Sequence, residues 1–171
     1  MKLTSLYLST LFALILVVTG CSKKNSDHDH AGHNHDHDHG KEHAHVHTAP
    51  HGGTLIEIGD HQFNLEFVLD SAAGKLTAYV LDAHAENFIR LEVPVLEINV
   101  TSPAPARTLI LNATANTATG ETVGNTSQFE ASADWLKGVQ NLSGTVARLD
   151  VRGANFLKVP VNLASTTSGG K

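Results

Sequence analysis

From Pro50 onward the sequence predicts an all-β fold, a small antiparallel β-sandwich of Ig-like or barrel-like form, on three observations. Short segments rich in Val, Ile, Leu, Thr and Phe recur eight times. Clusters of Gly, Asp, Asn, Ser and Pro separate them. The run 61–69 alternates: His61, Phe63, Leu65, Phe67 and Leu69 share one face while Gln62, Asn64, Glu66 and Val68 take the other, the pattern of a half-buried strand.

The predicted strands are 54–58, 61–69, 75–81, 88–91, 95–100, 108–111, 144–151 and 156–161. Asp70-Ser71-Ala72-Ala73-Gly74 makes a hairpin loop from the second into the third. Residues 112–125, poor in bulky side chains and rich in Thr, Ala, Asn and Gly, predict a long loop or a weak edge hairpin. Ser132, as an N-cap ahead of Trp135, predicts one helical turn that lays the sole tryptophan over an end of the core. The domain is expected to span 50–163, with the Ser, Thr and Gly tail 164–171 disordered. Asn112, Asn125 and Asn141 open Asn-x-Ser/Thr triplets, which are read as loop composition.

Residues 1–20 read as a secretion signal, with Lys2 leading into the apolar run LYLSTLFALILVV and then Val18-Thr19-Gly20-Cys21. The run falls short of a comfortable membrane span of roughly 20 residues, which disfavours a simple anchor helix. The tetrapeptide resembles the lipobox of bacterial lipoproteins, and the resemblance implies cleavage before Cys21 and lipidation of its thiol. Ser22 in the next position resembles lipoproteins passed on to the outer membrane. The expected place is the bacterial cell envelope, lipid-anchored and facing the periplasm.

Lipidation of Cys21 would leave no free thiol, because it is the single cysteine, and Met1 leaves with the signal. Disulfides, thiolate sites and thioether Cu(I) sites are then excluded, and the fold stands on its core alone. Net charge is -5, and loss of Lys2 takes it to -6. Twelve scattered Lys and Arg give no nucleic-acid footprint.

The segment 21–49 is almost free of large apolar residues, so no burial offsets the entropy of ordering it, and it is expected to be a disordered tether. About 28 such residues reach roughly 30 Å on average and about 95 Å when extended. Ten of the chain's 12 histidines fall between residues 28 and 51. Those in the tether are His28, His30, His33, His35, His37, His39, His43, His45 and His47. In an extended chain, residues i and i+2 project the same way, so neighbouring pairs of imidazoles can meet one ion. Asp27, Asp29, Asp36 and Asp38 can orient the rings or bind directly. The set suits a divalent transition metal, zinc first, then nickel, copper(II) or cobalt. A merely solubilising or pH-responsive tail is the plainer reading, and irregular spacing argues against a tag.

His51, His61 and His84 are the histidines of the domain. Asp82 and His84, two apart, with His51 or His61 and with Glu86 or Glu66, are candidates for a structured metal site. The alternative is ordinary hydrogen bonding at strand ends.

The segment PHGGTLIEIGDHQFNLEFVLDSAAGKLTAYVLDAHAENFIRL, residues 50–91, resembles a stretch recurring in small His-rich bacterial lipoproteins and in N-terminal parts of some periplasmic adaptor proteins of metal efflux systems. The resemblance implies an envelope role near metal handling. A transporter or efflux component is the implied partner, and the chain lacks the coiled-coil hairpin of a whole adaptor. No HExxH or GxSxG occurs, so no enzyme is expected. Two functions follow: a lipoprotein that binds divalent metals for buffering, scavenging or delivery, or a β-domain that docks on an envelope partner with metal binding secondary.

Overall fold

The computed structural model describes residues 47–166. The strands are β1 (Thr54–Ile58), β2 (Phe63–Asp70), β3 (Lys75–Asp82), β4 (Val95–Ser102), β5 (Arg107–Ala113), β6 (Gln128–Ser132), β7 (Asn141–Val151) and β8 (Ala154–Ala164). All neighbours are antiparallel, in the order β1-β2-β3-β6-β5-β4-β7-β8. The two end strands β1 and β8 approach each other, so the sheet curls into a nearly closed barrel. An all-β antiparallel fold is what the sequence predicts, and the barrel-like form is the one adopted.

Alternation builds the interior. Leu96, Ile98 and Val100 of β4 and Leu109, Leu111 and Ala113 of β5 point inward, with exposed residues between them. Leu65, Phe67 and Leu69 of β2 meet Leu76, Ala78 and Val80 of β3 and Phe129 of β6 in the same core. In the β7–β8 hairpin the buried positions step by three, from Val146 to Leu149, beside Lys158 with its positive φ of 53°. The inward face changes phase there as the barrel turns.

Seven of the predicted strands are present. Residues 88–91 form no strand; they make single bridges, Leu81 with Phe88 and Leu91 with Thr126, because β6 already occupies that edge of β3. The eighth strand is instead β6, whose only apolar residues are Phe129 and Ala131, too few to stand out by composition. His61 is not at a strand start. Asp60 and His61 both take left-handed backbone angles in the turn that precedes β2.

The short helical turn is a 3-10 turn, Asp134–Leu136, capped at Ala133 without a side-chain bond, so Ser132 is not its cap. Trp135 packs partly against the core, and the Arg107 guanidinium lies 4.4 Å from its ring centroid. At the C-terminus β8 runs through Ala164, and Ser165 and Thr166 donate backbone N–H bonds to Gln140 and Leu69. Ordered structure thus extends three residues past the expected limit, because these amides find carbonyl partners.

The long connection 114–127 is held by one carboxylate. Glu121, almost fully buried, accepts bonds from the Ser127 amide (2.9 Å) and hydroxyl (2.7 Å) and from the Thr119 hydroxyl (2.9 Å). Burial works to raise its pKa. The bonds from Ser127 and Thr119, with the nearby Arg90 guanidinium, outweigh that and hold it below the usual carboxylate range. The stabilisation is therefore complete above the unfolded value of about 4.3 and is lost as pH falls through the lower folded value. The Ser127 amide proton resonance is expected to move upfield as pH drops below about 4, and Glu121→Gln should abolish that titration.

Candidate functional site

On the outer face of the sheet, Leu55, Glu66, Tyr79 and Gln128 stand opposite one another in register across β1, β2, β3 and β6. A half-buried strand would leave Glu66 in water. Instead its side chain is 0% exposed, because the segment leading into β1 folds over it. The His51 amide (2.7 Å) and the Gly53 amide (3.0 Å) both donate to Glu66 Oε1. The His51 ring completes the clasp, with Nδ1 2.8 Å from Oε2.

The sequence Pro50-His51-Gly52-Gly53 is shaped for this wrap. Gly52 takes a φ of +71°, which a side chain resists. Gly53 passes so near β2 that a Cβ there would stand 2.3 Å from the Phe67 carbonyl oxygen. Among the described residues no Lys or Arg pairs with Glu66, so this buried carboxylate needs other donors, and the two amides and the imidazole supply them. No buried side-chain polar atom lacks a partner among the described residues.

The His51 ring is fixed in three directions. It stacks flat on Tyr79, with centroids 3.7 Å apart and planes within 7°, and Phe88 tilts against it at 5.7 Å. Tyr79 is pushed above the ordinary phenol range by burial, then by the nearby carboxylates of Glu130 and Glu66, so it stays a neutral stacking partner. Since Oε1 of Glu66 already accepts two amides, its Oε2 is an acceptor for Nδ1–H. In the neutral ring that tautomer leaves the Nε2 lone pair free, and 34% of the side chain is exposed.

The loop 83–88 carries the second histidine. Asp82 shapes it, accepting bonds from the amides of Glu86 (3.0 Å) and Asn87 (3.3 Å) and from the Asn87 side chain (2.7 Å). Burial works to raise the Asp82 pKa, and these bonds, with one from the His84 amide, hold it below its usual range. Asp82 is thereby committed to the loop. His84, exposed, meets His47 edge to face with ring centroids 5.8 Å apart. One loop therefore touches the incoming segment twice, through His84 and through Phe88.

His61 stands apart, bound to exposed Glu57 at 2.9 Å, and no ring contact joins it to another histidine among the described residues. Glu86 is exposed and bonds Asp82 only through its amide. Cys21 and the histidines at 28, 30, 33, 35, 37, 39, 43 and 45 lie outside the described residues. Among the described residues, no three His, Cys, Asp or Glu side chains converge as a ready ligand set.

Of the predicted site residues, the structure joins His51 to Glu66 and His84 to His47, and leaves His61 aside. The roles of Tyr79 and Phe88 were not anticipated. Their signal was weak, since an aromatic in a strand is more often core than platform. His51, Gly52, Gly53 and Thr54 also flank an open cleft with Ala164, Ser165 and Thr166, where the chain enters and leaves the barrel. No family model matches the chain, and no curated protein and no solved structure matches it either.

Proposed function

We propose that the protein is a lipid-anchored envelope protein that captures divalent transition metals through the histidines of residues 28–47, for buffering, scavenging or delivery. The density of imidazoles in that tract carries the reading. The resemblance of residues 50–91 to His-rich lipoproteins, and to parts of metal-efflux adaptors, adds support, as does the lipobox-like sequence at Cys21. On this reading the barrel is the body that the tract decorates, zinc is the first ion to test, and no chemistry is catalysed. The anchor holds the protein at the outer membrane, facing the periplasm.

The lipid-free chain from residue 22 onward is expected to bind several equivalents of zinc near neutral pH. Replacing the histidines at 28, 30, 33, 35, 37, 39, 43 and 45 with Asn should reduce this to one or fewer. Because a coordinating imidazole must be neutral and its ordinary pKa is about 6.5, tract-bound metal is expected to leave as pH falls below about 6. Calorimetric titration of the two chains at neutral pH and at about pH 5 checks both points; equal stoichiometry in the two would overturn the proposal.

A second reading, a docking module for an envelope transporter, draws on the half-exposed Phe88 beside the His51 ring. It predicts a crosslinked partner whose capture survives the Asn replacements.

A further inference from the structure

We infer that His51, His47 and His84 close on one divalent metal ion at the junction of the tract with the barrel, with Glu66 as the carboxylate that orients its leading ligand. This deepens the metal-binding reading and rests on it for the ion.

The first observation is the clasp. A histidine that ligates metal through one ring nitrogen commonly gives its other N–H to a carboxylate, which fixes the tautomer and strengthens the donor. His51 has that arrangement before any ion arrives: Nδ1 is on the buried Glu66, a face is on Tyr79, and Nε2 is left over. A solubilising tail needs none of this. A histidine serving only to cover Glu66 would not need the flat stack on Tyr79 as well.

The second observation is independent of the first. Two imidazoles sharing a tetrahedral zinc, with Zn–N of about 2.0–2.1 Å, have ring centroids about 5 to 6 Å apart. His47 and His84 stand at 5.8 Å. His47 lies four residues before His51, and Phe88 of the His84 loop touches the His51 ring. Residues 47–50 and 83–88, which carry His47 and His84, lie outside the strands, so the two rings can close on His51 without breaking a ladder.

Three neutral imidazoles leave a fourth tetrahedral position, as in sites that exchange a ligand. His61 has the carboxylate partner Glu57 but no ring contact with another histidine among the described residues, and is excluded from the site.

The test uses zinc and the lipid-free chain from residue 22 in which the eight tract histidines are Asn. This chain is expected to keep one tight equivalent, and its arrival should shift the side-chain nitrogen resonance of His51 Nε2. His84→Ala, an exposed change that leaves the barrel folded, should weaken that equivalent by at least tenfold. His51→Ala should weaken it further, and Glu66→Gln about 10- to 100-fold with the His51 Nε2 signal displaced. No tight equivalent in the Asn-replaced chain, or an affinity unchanged by both His84→Ala and His51→Ala, would overturn this site while leaving the tract reading standing. Failure of the tract reading looks different: the unaltered chain and the Asn-replaced chain would each bind one ion.

Discussion

Glu66→Ala is expected to destabilise the barrel by about 3 kcal/mol, the desolvation cost of leaving neutral donors without an acceptor. Three donors lose their acceptor together: the His51 amide, the Gly53 amide and His51 Nδ1. Each buried donor left without a partner costs about 1 to 3 kcal/mol, less whatever water recovers at the partly exposed edge. Glu66→Gln keeps the shape and an oxygen for the two amides, so its loss should be about 1 to 2 kcal/mol. Chemical denaturation at pH 7 separates the two. If Glu66→Ala costs no more than Glu66→Gln, the carboxylate is not what holds the entry segment.

Gly53→Ala is expected to cost about 3 kcal/mol, at the upper end of the range for overpacking a site that cannot relax. The new methyl would meet the Phe67 carbonyl oxygen at 2.3 Å and carbon at 2.8 Å. Both are backbone atoms of β2, and neither swings aside as a side-chain tip would. The change must push β1 from β2 or pull the Gly53 amide off Glu66. Gly52→Ala is the control, since its Cβ meets nothing within 4 Å and the cost is only that of a positive φ, about 1 kcal/mol. Thermal unfolding of the two variants should rank them in that order.

Both variants bear on what sequence alone can disclose. Strands β4 and β5 were legible because one face is buried and the other wet, so apolar residues recur at every second position. Strand β2 is different: Asn64 and Glu66 look solvent-facing by alternation, yet both are buried, since the entry segment and the loop 83–88 cover that face. Nothing in a period of two reports a covering segment that lies far off in sequence. The strand β6 was missed for a related reason, as its place is fixed by its neighbours β3 and β5 more than by its own two apolar residues.

The site was partly legible. His51 and Glu66 are both candidates by residue type, as metal ligands, while the close approach of Gly53 to β2 is not among the expectations. What composition does not carry is that Glu66 grips His51 from below and Tyr79 backs it from the side. Those contacts depend on the pairing of β2 with β3, which sets Glu66 opposite Tyr79.

The carboxylate clasp also acts as a mooring. Strand β1 pairs with β2 in a ladder that begins at Thr54, and such an edge strand peels one hydrogen bond at a time when drawn from its end. Past the His47–His84 contact, a pull along the N-terminal segment meets Glu66 at His51 and Gly53, and so passes into β2, inside the sheet, before it reaches that ladder. Load on that segment is thereby borne by a cleat set one strand inboard, and the rim is spared.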